Sequence, residues 1–427
     1  MREMGWALTF REDTPARAPG WFDYHDLPLS AASRSTLSQF RDGIYQHQRE
    51  GILRYLGGAH LAVTTATASG KTLIFNICAL EELAKPGARV LAIYPLKALA
   101  AEQTMRWQTA LKQAGIDAKV GRIDGGIAMS ERQRILKESR VLVMTPDIIH
   151  AWLFSVIDAP VVVNFLKNLT LVVTDEAHTY SGVFGSNAAF LFRRLLHAVR
   201  KLGGQCRFIA SSATMKDPTA HLLKLTGESF ETIGPELDTS PRAERRTLLV
   251  SPPKSKDLLT AVSDLLIYAA ANTSHQSITF VDSRKQTEYL AAIVERRVNE
   301  ESEDADAPVF ERLRDMQIYP YRSGYEEEDR ERIQGRLAAG ALKGVVSTSA
   351  LEMGIDLPYL SLGVLYGIPS SATSLHQRIG RVGRRKPGLI IIVNNGSVIS
   401  ESVFRAPERI GDLPLAQSAL YLHNRPS

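Results

Sequence analysis

The run Thr65-Ala66-Thr67-Ala68-Ser69-Gly70-Lys71-Thr72 joins small residues and a glycine to a lysine and a hydroxyl. The β-branched run Leu61–Thr65 leads into it and a helical pattern, Lys71–Leu83, leads out. A phosphate loop needs that setting, because backbone N–H groups at a helix start cradle phosphate oxygens. Thr67, Ala68, Ser69 and Gly70 would line the cradle, Lys71 would reach the β- and γ-phosphates, and Thr72 would offer its hydroxyl to Mg2+. Thr65 stands where the general pattern has its first glycine. Asp175-Glu176-Ala177-His178 follows the apolar run Leu171-Val172-Val173 directly. At the end of a strand, Asp175 suits a ligand of Mg2+ and Glu176 suits the base that orients an attacking water. An acidic pair at a helix start also answers the macrodipole, but that does not explain its company with a phosphate loop.

Other groups gain meaning from these two. Gln48 both donates and accepts, so its amide can read an adenine edge. Ser211-Ser212-Ala213-Thr214 places hydroxyls at another strand end, suited to couple the nucleotide site to a neighbouring surface. In the second half, Gln377-Arg378-Ile379-Gly380-Arg381-Val382-Gly383-Arg384-Arg385 sets Arg381 and Arg384 three residues apart at a helix start. Such a pair can neutralise charge developing on a γ-phosphate; the alternatives are a basic face on a nucleic-acid phosphate, or solvent. Lys97, Thr145, Asp147, Ser283, Arg284 and Thr348 all fall at the ends of expected strands. They suit phosphate and sugar contacts, which hold position and carry no sequence information.

Strands must carry these residues. Leu61–Thr65, Val90–Tyr94, Val141–Thr145, Leu169–Thr174 and Arg207–Ser211 alternate with helical patterns such as Asn187–Lys201. A second series runs Ser277–Val281, Gln317–Tyr321, Val345–Thr348, Ser361–Tyr366 and Leu389–Val393. Alternation of this kind implies α/β domains, each a parallel sheet with helices on both faces. The expected plan is an N-terminal arm over 1–44 with a short helix Ser30–Phe40, a first domain over 45–234, a Pro-containing linker over 235–254 and a second domain over 255–427. Glu300–Asp306 reads as a solvated loop and Glu326–Arg332 as an exposed helix face.

Composition agrees with 427 residues in two or three domains. At 44% hydrophobic and 23% charged the chain is average for globular proteins, which excludes a disordered, collagenous or coiled-coil chain. Apolar runs such as Leu389–Val393 are far shorter than the roughly 20 residues of a membrane span, so no membrane role is expected. Met1–Glu12 is polar and unlike a signal peptide. Two cysteines, Cys78 and Cys206, cannot build a four-thiolate zinc site and suggest no disulfide framework; a cytoplasmic location is expected. A net charge of +5 permits a polyanionic partner.

The ordered set Gln48, Ala66–Thr72, Tyr94–Leu99, Thr145–Asp147, Asp175–His178 and Ser212–Thr214 resembles a superfamily 2 helicase of the DEAD/DEAH-box type. Phe280–Arg284, Tyr321–Tyr325, Ser347–Pro358 and Gln377–Arg385 resemble later motifs of that class, in order. The stretch Asp175–Ser186 is similar to the MrfA-like branch of bacterial DNA-repair helicases. The resemblance covers roughly residues 40–400. It implies two tandem RecA-like domains that hydrolyse ATP with Mg2+ in a cleft between them, with Arg381 and Arg384 as arginine fingers and Gln377 beside them. It also implies that Gly354 and Asp356 couple ATP to interdomain closure. The implied partner is single-stranded or tailed DNA, travelled 3′ to 5′, in DNA repair or in defence against foreign DNA. An RNA helicase, or an ATP-gated clamp that recruits a partner without unwinding, are the alternatives. MrfA-like proteins carry a further cysteine-rich, zinc-binding domain, for which a separate subunit is expected here.

Overall fold

The structure is a computed structural model that describes residues 2–212, 215–282, 317–321, 327–352, 357, 359–415 and 420–422. The strands are β1 (Ala7–Thr14), β2 (Trp21–Phe22), β3 (Ile44–Tyr45), β4 (Leu61–Val63), β5 (Arg89–Ile93), β6 (Lys119–Ile123), β7 (Ser139–Met144), β8 (Leu169–Thr174), β9 (Arg207–Ser211) and β10 (Glu231–Ile233). They continue as β11 (Arg245–Ser251), β12 (Gln276–Phe280), β13 (Ile318–Tyr321), β14 (Gly344–Ser347), β15 (Leu360–Tyr366) and β16 (Gly388–Val393). The helices are α1 (Ala31–Leu37), α2 (Gln46–Leu56), α3 (Thr72–Leu83), α4 (Lys97–Gln113), α5 (Met129–Glu138), α6 (Pro146–Ala151), α7 (Pro160–Lys167), α8 (Gly182–Lys201), α9 (Pro218–Thr226) and α10 (Leu258–Asn272). Later come α11 (Glu327–Ala338), α12 (Ala372–Ile379) and α13 (Val398–Arg405). Among the described residues, no helix is long and apolar enough to cross a membrane.

The first lobe comprises Pro19–Ser240 and the returning residues 420–422. Its seven strands run in the order β10-β4-β9-β8-β5-β7-β6, all parallel. β5, β7, β8 and β9 are buried almost throughout, as strands covered on both faces must be. Alternate residues feed the two faces. Leu91, Ile93 and Val172 join one core with Phe165 and Phe192. Val90, Ala92, Leu171 and Val173 join the other with Ile74, Phe75 and Trp107.

The second lobe comprises Met1–Ala18 and Pro241–Leu415. Its sheet runs β1-β11-β16-β15-β12-β14-β13. All its pairings are parallel except β1 with β11. Ile278, Phe280, Ile390 and Ile392 enter one core, and Val250, Val364, Ile391 and Val393 the other. Two seven-stranded, mainly parallel sheets with helices are the tandem RecA-like arrangement.

Several boundaries differ from the sequence-based plan. Residues 1–44 are shared: β1 is an edge strand of the second lobe, while β2 and α1 belong to the first. The linker region 235–254 contains β11, whose Thr247, Leu249 and Val250 are buried. The first lobe therefore runs to Ser240. The short helix closes to Ala31–Leu37, started by Ser30, whose hydroxyl accepts from Ser33 N–H. Glu300–Asp306 lies outside the described residues, and the exposed helix face corresponds to α11.

Candidate nucleotide site

In a parallel sheet, functional loops gather beyond the carboxyl ends of the strands. In the first lobe β4, β9 and β8 are neighbours, and each ends in a motif of the sequence analysis. β4 opens into Thr64–Lys71 and α3. β9 ends at Ser211, followed by Ser212. β8 ends at Thr174, followed by Asp175 and Glu176. The fold thus collects on adjacent strands residues more than 100 positions apart.

Lys71 closes this group. Its ammonium donates to the Thr65 carbonyl at 2.9 Å and the Ser212 carbonyl at 3.2 Å, tying the loop to the end of β9. Burial lowers its affinity for the proton, opposed by Glu176 and Asp175. The loop turns through two left-handed residues, Ala68 at φ 63° and Gly70 at φ 86°. Gly70 is needed twice over there: a Cβ would also lie 2.6 Å from Gln48 Nε2. Thr65, the departure from the general pattern, is fully buried, and its hydroxyl lies 2.7 Å from that of Ser69. Its side chain thus holds the far end of the loop while its carbonyl receives Lys71.

Asp175 accepts from the Ser211 hydroxyl and from Glu176 N–H at 2.9 Å. Burial, then the neighbouring Glu176, raises its carboxyl above the ordinary aspartate value of 3.8. Glu176 has φ 52°, a costly backbone state for a residue with a Cβ. It is pinned there, because its carbonyl accepts from Thr179 N–H at 2.9 Å and from the Thr179 hydroxyl at 2.8 Å. His178 Nδ1 stands 3.5 Å from its carboxylate. Among the described residues no three His, Cys, Asp or Glu side chains converge as a metal cage. The half-buried carboxylate of Asp175 and the hydroxyl of Thr72 fit Mg2+, which usually keeps waters and phosphate oxygens as ligands.

Gln48 is buried against the loop. Its Oε1 accepts from Tyr45 N–H and its Nε2 donates to the Gly70 carbonyl, both at 2.9 Å. One N–H and one lone pair of its amide remain. An aromatic ladder that no sequence motif announces stands beside it. Tyr45 stacks on Trp21 at 4.9 Å and on His47 at 5.8 Å. Only the spacing of Tyr45 from Gln48 hinted at this, since Trp21 arrives through the β2–β3 pairing.

The expected nucleic-acid contacts separate from this group. Lys97 is exposed at the start of α4, after β5. Thr145, buried, and Asp147, exposed, follow β7. β5 and β7 are adjacent, on the far side of β8 from the loop, so the phosphate groups and the nucleic-acid candidates divide one sheet edge.

In the second lobe Thr348 is half-buried at the end of β14. Ser283, Arg284, Gly354 and Asp356 lie outside the described residues. Gln377 is buried on α12. Arg381 is 4% exposed, with its guanidinium donating to the Glu352 carbonyl. Arg384 is partly buried and donates from Nε to Gly380 O at 3.1 Å. Glu352, within the run Ser347–Pro358, has a role that its position in the motif does not announce. Its carboxylate accepts from Arg378 Nε at 2.6 Å and from the Ser374 hydroxyl at 3.1 Å, so one residue organises both Arg378 and Arg381.

Known proteins resemble this chain over both lobes. The family described as DEAD/DEAH box helicase matches residues 45–222, and the helicase conserved C-terminal domain matches residues 257–386. The uncharacterised ATP-dependent helicase YprA of Bacillus subtilis is 32% identical over 375 residues, covering 86% of this chain and 48% of the relative. The ATP-dependent helicase HRQ1 of Saccharomyces cerevisiae is 32% identical over 404 residues, covering 91% and 36%. A crystal structure of the DUF1998 helicase MrfA bound to DNA and AMPPNP aligns with a TM-score of 0.86 at 29% identity, covering 98% of this chain and 57% of that one. The chain thus spans about a third to a half of the length of the curated relatives it matches. With both family profiles matched in tandem and each on its own lobe, the chain belongs to the superfamily 2 helicases of the DEAD/DEAH-box type.

Proposed function

We propose that this chain is the core of an ATP-dependent DNA helicase or translocase that moves 3′ to 5′. It hydrolyses ATP with Mg2+ and serves DNA repair or defence against foreign DNA in the cytoplasm. The observation that carries the reading is the grouping of Lys71, Asp175 and Glu176 beyond the ends of β4 and β8, joined through β9 between them. Lys71 would exchange its two carbonyl partners for phosphate oxygens. Mg2+, held by Asp175 and Thr72, would supply positive charge at the β- and γ-phosphates. Glu176, fixed in its left-handed turn, would orient the attacking water and take its proton. Gln48 and the Tyr45–Trp21 stack lie beside the loop where a base could be read. Gln377, Arg381, Arg384, Gly354 and Asp356 are assigned from the second lobe to the same chemistry. Lys97, Thr145, Asp147, Ser283, Arg284 and Thr348 are assigned to the strand.

The likeness to a helicase solved with DNA and AMPPNP supports DNA as the polymer. A separate subunit that works with this core completes the reading. Glu176→Gln should retain ATP binding and lose turnover, whereas Lys71→Ala should lose both. Wild-type turnover should rise with single-stranded DNA, and binding should weaken with salt as counterions are released. Stimulation by RNA alone would favour the RNA reading. Turnover that is indifferent to any nucleic acid, or undiminished in Glu176→Gln, would sink the assignment.

A further inference from the structure

α8 has no acidic residue along its 20 positions. Its inner face, including Ala188, Leu191, Phe192, Leu195 and Leu196, is buried in the first lobe. Val183, Asn187, Phe190, Arg194, His197 and Lys201 are all exposed. They follow one another in steps of four and three, the 3.5-residue spacing of a helix–helix seam. The head of this seam is apolar: Val183 is 74% and Phe190 49% exposed, with Phe184 beside them at 38%. Single exposed hydrophobic residues are ordinary, but Val183 and Phe190 flank Asn187 on one face, and apolar side chains grouped on a face mark an interaction site. The tail is positive.

The macrodipole accounts for Arg200 and Lys201 in the last turn, yet it fades before Arg193 and Arg194. These arginines are held in place. Arg194 lies 4.3 Å above the Phe154 ring, Arg193 donates to the Lys224 carbonyl at 2.9 Å and Arg200 to Glu228 at 2.7 Å. The chain itself shows what the head of α8 accepts. Tyr421 N–H donates to the Ser186 hydroxyl at 2.8 Å, and Leu420 and Leu422 pack against the core beneath. A Cβ on Gly185 would stand 2.3 Å from the Tyr180 carbonyl and 2.7 Å from Leu420 Cδ2, so the glycine admits both the Tyr180 backbone and Leu420.

We propose that the exposed seam of α8 is the docking surface for a separate protein, through an acidic amphipathic helix. Its aliphatic side chains cover Val183, Phe184 and Phe190, and its carboxylates meet Arg194, His197 and Lys201. The proposal rests on the reading above only in taking a further subunit to work with this core. The exposed side chains of Val183, Phe184 and Phe190 gain nothing from a phosphate backbone, whereas aliphatic side chains of a protein can cover them, which argues for protein over nucleic acid. A second copy of the chain would set one positive seam against another.

A photocrosslinker placed by Asn187→p-benzoylphenylalanine, in cells that make the protein naturally, tests the proposal. The crosslinks should map by mass spectrometry to one peptide of another protein, with aliphatic residues at helical spacing and Asp or Glu between them. Arg194→Glu should cut the yield at least about tenfold, and an acid-to-Arg exchange in the mapped peptide should restore it. Crosslinks to nucleic acid, to a second copy, or to no defined peptide would overturn the proposal. DNA-stimulated turnover of the same variants is read separately. Its loss in the unmodified chain would count against the helicase reading and leave the surface standing.

Discussion

Thr65 shows one residue setting two functional groups at once. Its hydroxyl reaches Ser69 and its carbonyl receives Lys71, so removing the hydroxyl should loosen the loop without removing any group that touches phosphate. Thr65→Ala should forfeit about 1 kcal/mol, roughly fivefold in the KM for ATP, with kcat nearly kept and Thr65→Ser restoring the KM. An unchanged KM would show the hydroxyl pair to be idle. Asp175 gives a pH test. Its folded-state proton affinity is raised, mainly by burial, so ionising it costs stability. That cost is absent below the ordinary aspartate pKa and fully present above the raised one. Asp175→Asn should therefore unfold at a higher temperature than the wild type near pH 7 in the absence of nucleotide. The gain should shrink as pH falls towards 4, and a gain that grows on acidification would refute the argument. Lys71, Asp175 and Glu176 were legible because charged residues next to apolar strands stand out in a sequence. Glu352 was not, because its role lies in packing between Arg378 and Arg381, and a sequence does not display such contacts.

At the scale of elements, the buried strands were legible and the edges were not. β8 and β16 read as strands because both faces are covered and the apolar runs Leu171–Val173 and Leu389–Val393 are unbroken. β1 reads as a polar arm because it is an edge, where charge protects against unwanted pairing. Its Asp13 lies opposite Arg246 in the register and bonds to it at 2.7 Å. Leu8 is 51% exposed, so no alternation announces the strand. Its anchor is Trp6, buried in the core of the second lobe with Val250 and Leu265. Trp6→Ala should destabilise that lobe by about 3–5 kcal/mol. Denaturant unfolding should show one transition moving down while the transition of the nucleotide-binding lobe stays. Equal movement of both, or of neither, would mean that the anchor is not local to its lobe.

For the whole molecule, chain order and lobe membership do not coincide. The second lobe begins with Met1–Ala18, gives way to the first over Pro19–Ser240, and resumes at Pro241. A cut at 240 therefore does not yield two complete domains. Residues 19–240 hold all seven strands of the first sheet and the buried residues of both its cores, and they should fold and bind an ATP analogue alone. Residues 241–415 lack β1, which leaves the hydrogen-bonding edge of β11 bare and removes Trp6 from its core. An uncovered edge beside an uncovered core invites association. That fragment should aggregate or remain poorly ordered, and a peptide of residues 1–18 added in trans should restore dispersed amide resonances and raise its unfolding midpoint. Starting the chain near Ile44 would strip an edge strand from one lobe and α1 from the other, so lost unwinding would report lost structure. If residues 241–415 alone give a well-dispersed spectrum that the peptide leaves unchanged, β1 is an ornament on a lobe complete without it.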